Sequence, residues 1–226
     1  MILLTFSLFP PLLTATEFSF GNIRLPKEPS FSVTYQDLFS LSELQSVKVS
    51  WNEKSYGFGI SHFGTSLYRE MSFSGSYRLE IDNAFLMIEP SLLFLTQKDE
   101  DNLGFDADFM MGLSLKDYGI YLNAFHPFSW IRNNTIPIVT ELCGVFSNEW
   151  NKVGFKLNFT EGWGISLGFG YCLKFPNFTT TLGLLTNPLI PSCGVSMDLR
   201  KIRFSAGFQN HPDLGLSETV TVQYRR

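Results

Sequence analysis

Side chains that alternate in character with a strict period of two, over segments about ten residues long, limit the fold of this chain more than any other feature. Successive side chains of a strand point to opposite faces, so such segments have one apolar and one polar face. From Trp163 to Phe175 the odd positions are Trp163, Ile165, Leu167, Phe169, Tyr171, Leu173 and Phe175, against Gly164, Ser166, Gly168, Gly170, Cys172 and Lys174. Val153, Phe155, Leu157 and Phe159 alternate in the same way with Gly154, Lys156 and Asn158, and Ile202, Phe204, Ala206 and Phe208 with Arg203, Ser205, Gly207 and Gln209. Leu103, Phe105, Ala107, Phe109, Met111, Leu113 and Leu115 oppose Gly104, Asp106, Asp108, Gly112 and Ser114, with Met110 as the one exception. Met71, Phe73, Tyr77, Leu79 and Ile81 oppose Ser72, Ser74, Ser76, Arg78 and Glu80.

The apolar face carries most of the phenylalanine, while the polar face holds glycine, serine, threonine and charges of both signs. A soluble sandwich or lipocalin-like barrel shares the period, but its large charged residues should cover the outside. Apolar toward lipid and polar toward a lumen is the pattern of a transmembrane barrel. Composition agrees, since charged residues are 17% of the chain against roughly 25% in soluble domains. Mean hydropathy is +0.06, and after the N-terminus no run approaches the roughly 20 apolar residues of a membrane helix. A membrane-spanning chain of this kind must therefore close its strands into a barrel.

The full reading is one all-β domain, a single antiparallel up-and-down transmembrane β-barrel of about fourteen strands, with twelve as the alternative count. The strands fall near 31–37, 45–51, 54–63, 70–82, 84–97, 103–115, 117–125, 136–148, 151–160, 163–174, 176–186, 192–200, 201–210 and 214–224. Tight joins at Asn52/Glu53, Asp82/Asn83, Lys116/Asp117, Asn148 to Asn151, Pro176 and Arg200/Lys201 occupy every second connection. Longer ones at 64–69, 98–102, 126–135 and 187–191 alternate with them, which places the termini in the periplasm and the longer loops outside. Trp51, Tyr56, Tyr118, Trp150 and Tyr224 gather at the proposed periplasmic end, where an interfacial girdle belongs. Residues 1–15, MILLTFSLFPPLLTA, read as a signal peptide ending at a small residue, 16–30 as a short periplasmic segment and 31–226 as the barrel. The location expected is the bacterial outer membrane, with outer-membrane lipid as the first partner.

Chemistry is sparse. Gly164, Ser166 and Gly168 satisfy G-x-S-x-G, but mid-strand, where the strained elbow needed for a nucleophile cannot form. His62, His126 and His211 show no metal-ligand spacing, and Cys143, Cys172 and Cys193 read as packing residues, so no catalytic residue, metal or cofactor is assigned. A formal charge of −4 with scattered Lys and Arg excludes a nucleic-acid role. The lumen-facing charges expected are Arg78, Glu80, Asp106, Asp108 and Lys152, followed by Lys156, Lys174, Asp198, Arg200 and Arg203. They line an aqueous channel or pair into a filled interior. The acidic run 98–102 reads as a solvated loop. Trp130 and Ile131, apolar residues in an outer loop, either contact a partner or ligand or fold inward to constrict the lumen.

Two stretches, SYGFGISHFGTSLYRE at 55–70 and FSAGFQNHPDLGLSETVTVQYR at 204–225, resemble the PorV/PorQ-like outer-membrane proteins, relatives of the FadL long-chain fatty-acid transporters. The HPxLG-type turn of that family is matched by His211, Pro212, Leu214 and Gly215. The family's Asn-Pro-Ala-like element has no counterpart in residues 17–44, so no N-terminal hatch is carried over. The resemblance implies a fourteen-stranded barrel that either acts with secretion-system components in export and surface attachment or passes a hydrophobic small molecule. A non-enzymatic, export-associated or envelope role is the leading expectation. A FadL-like channel is the alternative, and an outer-membrane lipid-modifying enzyme stands last.

Overall fold

A computed structural model describes residues 29–41, 44–65, 68–97, 100–131 and 136–226. Residues 1–15, read as a signal peptide, and nearly all of the segment 16–30 lie outside them. Fifteen strand segments follow in chain order: β1 (Ser30–Asp37), β2 (Gln45–Asn52), β3 (Tyr56–Gly64), β4 (Tyr68–Ile81) and β5 (Ala84–Gln97), then β6 (Glu100–Ser114), β7 (Tyr118–Phe125), β8 (Trp130–Ile131), β9 (Val139–Ser147) and β10 (Asn151–Thr160), then β11 (Gly164–Lys174), β12 (Phe178–Leu185), β13 (Ile190–Leu199), β14 (Ile202–His211) and β15 (Gly215–Arg225). Each pairs antiparallel with its neighbours, and β1 pairs with both β2 and β15, so the sheet closes on itself. No helix among the described residues is long and apolar enough to cross a membrane, and closure leaves no sheet edge, which is the condition for strands to stand in hydrocarbon.

The two-residue β8 is a continuation of β7 along the same side of β6, so the segments make a fourteen-stranded barrel. Phe109 of β6 faces Ala124, yet Phe105 faces Trp130. Four residues along β6 thus correspond to six along its partner, and the two extra residues form a bulge around His126, whose φ is 60°. Bulges bend a strand and re-aim its side chains; this one turns the imidazole of His126 into the wall, where it is buried.

Burial follows the period of two. On β10 the exposed residues are Val153, Phe155, Leu157 and Phe159, while Gly154, Lys156 and Asn158 are buried between them. Phe155 is 57% exposed although it lies at mid-strand, and Leu167 and Phe169 across the β10–β11 ladder are likewise exposed. The outer surface is therefore a continuous apolar belt, and the inner face holds glycine, hydroxyl and charged side chains. At the turn end, Trp51, Tyr56 and Phe58 form an outward aromatic group with ring centroids 5.8–6.2 Å apart. Glu218 interrupts the outward row of β15 near the opposite rim, where it pairs in register with Asp37 and Phe208.

Three expectations are corrected. Residues 100–102 of the run 98–102 are strand: Asn102, Asp101 and Glu100 extend β6 opposite Leu95, Thr96 and Gln97, and Thr96 donates its hydroxyl to Asp101 at 2.8 Å, while 98 and 99 lie outside the described residues. Length asymmetry between the two ends is consequently concentrated in the connections 38–44 and 126–138. Of the three free cysteines, Cys143 and Cys172 are packed inside, whereas Cys193 is exposed on the outward face opposite Phe208.

Candidate functional site

The inner wall is the surface on which this barrel can act, and it is divided. Between β5 and β11, large apolar side chains turn inward. Phe85, Tyr121, Cys143, Val145 and Cys172 form one buried cluster with Met110 packed against it. Leu93, Leu95, Ile131 and Ile136 form a second toward the loop end, with Tyr68 beside it. Glycine makes room at the first: a Cβ on Gly112 would come within 2.5 Å of the Tyr121 ring and 2.8 Å of Phe85. Met110, which broke the alternation of β6, belongs to the inner face and fills this cluster.

The opposite wall is lined by hydroxyls. Ser32 and Ser50 lie 2.7 Å apart, Thr34 and Thr221 3.0 Å, and Ser61 and Ser72 2.6 Å. Further round, Ser192, Ser196, Ser205, Ser217 and Thr219 are all buried at inward positions. Cross-strand hydroxyl pairs of this kind satisfy one another and leave a small, polar surface.

Several charges on the inner face are paired. Lys156 donates to Glu141 at 3.0 Å, with the two side chains 4% and 3% exposed, and Asn123 donates to the other oxygen of Glu141 at 3.2 Å. Arg203 grips Asp198 through two hydrogen bonds of 2.8 and 2.6 Å, with Arg225 3.3 Å away. Lys174 donates to Ser147 and to the Asn148 carbonyl. Arg78 pairs with Glu80 and lies over the Phe85 ring. Lys152 is half-buried at an inward position between Ser147 and Cys172. Arg200 is exposed in the tight turn between β13 and β14 at φ 55°, so it stands at the mouth rather than along the wall.

The bulge adds a cluster that spacing along the chain conceals. His126 Nδ1 lies 2.6 Å from Asp106 and 3.7 Å from Asp108, and its backbone N–H donates to Asp108 at 3.0 Å. Trp130 and Ile131 part company at β8. Trp130 is 61% exposed on the outer face, while Ile131 is buried in the inner cluster. His211 accepts hydrogen bonds at 3.2 Å from the N–H groups of Asp213 and Leu214, so it caps its own turn, and Gly215 takes φ 98° where the chain re-enters β15. Ser166 stands opposite Asn158 in regular ladder, without an elbow. Glu141, Asn123 and His126 are the wall residues that the sequence reading does not assign, while Asp106 and Asp108 are inward as expected.

No protein-family model matches the chain, and no curated protein does. Solved structures do. The CymD monoaromatic hydrocarbon channel aligns with a TM-score of 0.64 at 9% identity, over 95% of this chain and 97% of that one. Acinetobacter baumannii outer membrane protein Omp33 aligns at 0.56 and 7% identity, covering 88% of this chain and 98% of its own. The KdgM porin in complex with disordered oligogalacturonate aligns at 0.52 and 10%, covering 87% and 99%. The fold is that of a porin-like outer-membrane barrel. At these identities the likeness carries the architecture alone. The apolar belt, the aromatic group at the turn end and the paired charges inside are this chain's own realisation of it.

Proposed function

We propose that this protein is a channel of the bacterial outer membrane that passes small solutes with an apolar part, and that it performs no chemical step on them. The observation that carries this reading is the divided wall: Phe85, Leu93, Leu95, Tyr121, Ile131 and Val145 on one side, and serine and threonine hydroxyls on the other. These apolar side chains are packed against one another at under 10% exposure, so a solute with an apolar body would pass by replacing their mutual contacts while its polar edge meets the hydroxyl side. CymD, by its name a channel for monoaromatic hydrocarbons, lends support as a fold neighbour. The test is osmotic swelling of liposomes holding the purified protein, comparing a phenyl glycoside with an unsubstituted sugar of the same size. The phenyl glycoside should enter faster, and Leu93→Ser with Leu95→Ser should abolish the difference. Swelling no faster than in empty liposomes for either solute would overturn the proposal.

A second reading, a PorV/PorQ-like partner of secretion-system components, is supported by the capped turn at His211–Gly215 and by Trp130 and Phe128 standing out at the loop end, 61% and 67% exposed. A photo-crosslinker at Trp130 in living cells separates the two. Adducts with an envelope protein favour export, and adducts with lipid alone favour the solute channel.

A further inference from the structure

We propose that Asp106, Asp108 and His126, with Glu89 beside them, form a binding site for a borderline divalent cation of the zinc type on the inner wall. The site is independent of which solute the lumen passes. Asp106 and Asp108 alternate with Ala107 on β6 and so face the same way. Glu89 of β5 is directly opposite Asp108 in the ladder, and Ser91 is opposite Asp106. The bulge completes the set by turning His126 back onto β6, so that one ligand atom from each of Asp106, Asp108 and His126 lies within 4.8 Å of the others.

Two further observations separate this cluster from an ordinary acidic patch. Asp106 is 5% exposed, and its Oδ1 is buried with no hydrogen-bond partner although Oδ2 is held by His126. An orphaned carboxylate oxygen in a buried site is costly unless something positive meets it. Moreover, among the described residues no lysine or arginine forms an ion pair with Glu89, Asp106 or Asp108. Like charges directly opposite in a ladder repel, as Glu89 and Asp108 are, and Asp106 and Asp108 share a single imidazole. Two other acids of the wall have cations of their own, Glu141 with Lys156 and Asp198 with Arg203. The missing charge at the His126 cluster is the size a divalent ion supplies.

The donor set selects the ion. Two or three carboxylates with one imidazole suit zinc and its first-row neighbours, while calcium and magnesium prefer oxygen alone. Tetrahedral zinc with bonds of about 2.0–2.1 Å spaces its ligand atoms about 3.3 Å apart; the observed separations from Nδ1, 2.6 and 3.7 Å, straddle that value. A bound ion would displace the His126–Asp106 hydrogen bond and engage the oxygen now without a partner.

The test uses the purified full chain, stripped with a chelator and titrated with Zn2+ in a His62→Gln, His211→Gln background whose folding is checked by its heat-dependent gel shift. One equivalent should bind, with Mg2+ unable to compete at equal concentration. Asp106→Asn and His126→Gln should each weaken binding by about 10- to 100-fold or more, on the scale of lost ligand-shell contacts. Unchanged Zn2+ affinity in both variants, or no binding in the parent, overturns the proposal. Should either variant fail to fold, Cu2+ electron paramagnetic resonance on the parent alone decides: coupling to one imidazole nitrogen is expected, and a spectrum with no nitrogen coupling or with thiolate ligation overturns it.

Discussion

Removing the carboxylate of Glu141 takes from the Lys156 ammonium its ion-pair partner inside the wall, and the size of the effect reports how dry that wall is. The pair is 3.0 Å apart with both side chains under 5% exposed. Breaking a buried pair by deleting one partner costs about 3–5 kcal/mol, because the remaining charge stays desolvated. Glu141 also receives the Asn123 amide, and Asn123 is 1% exposed with its Oδ1 already without a partner. Glu141→Leu therefore takes the carboxylate from a buried cation and strands an amide, and the expected loss is at the upper part of that range. The double variant Glu141→Leu/Lys156→Met removes both charges and leaves side chains of similar volume, a change that is often neutral or stabilising. It should recover most of the loss, and the cycle should show a coupling of about 3 kcal/mol or more. Guanidinium unfolding in liposomes, followed by tryptophan fluorescence and the gel shift of the folded barrel, measures each corner. The half-exposed pair Asp198–Arg203 is the internal standard, for which the same cycle should give at most about 1 kcal/mol. A Glu141 cost as small as that standard would refute the reasoning and mean that water fills this part of the lumen.

Other outcomes follow from the two faces. Phe155→Arg should destabilise the barrel by about 2–4 kcal/mol, as expected for a cation at the lipid midplane, whereas Gln209→Arg on the inner face should cost far less; chemical unfolding in liposomes compares them. Gly112→Ala should cost about 1–3 kcal/mol by overpacking against Tyr121, Phe85 and the Ile120 carbonyl, read in the same assay, with relief in a Tyr121→Ala background. A cysteine at Asp213, in a chain without its native cysteines, should react on intact cells with a membrane-impermeant thiol reagent. One at Lys201, in the opposite turn, should react only after the outer membrane is opened, and the reverse order would invert the topology.

The barrel was legible because each strand between lipid and lumen must alternate, and where it does so cleanly, as at 151–160 and 163–175, the observed elements begin and end within about a residue or two of the reading. Legibility failed where pairing, not local pattern, decides. Residues 100–102, two acids and an amide, read as loop, yet the ladder with β5 carries them. The segment 136–148 does not alternate cleanly, so Glu141 was not recognised as inward, although Lys156 across from its neighbour Cys143 was. The bulge at His126 leaves no trace in hydrophobic period, since its two extra residues appear only when β7 and β8 are laid against β6. A D-x-D pair on a strand and a His-Pro at a strand end were the visible signs, but nothing in their spacing says that they meet.

The central claim is that this barrel stands in lipid with its apolar face outward and its glycine, hydroxyl and charged face around a lumen. Single-cysteine variants along β10 and β11, at Phe155, Leu157, Leu167 and Phe169 for one face and at Gly154, Lys156, Gly168 and Gly170 for the other, labelled with a polarity-sensitive fluorophore in brominated-lipid vesicles, test it directly. Quenching by the brominated chains should be strong at the first four and weak at the second four, alternating residue by residue. Uniform quenching along both strands, or quenching of the second set alone, would contradict the account.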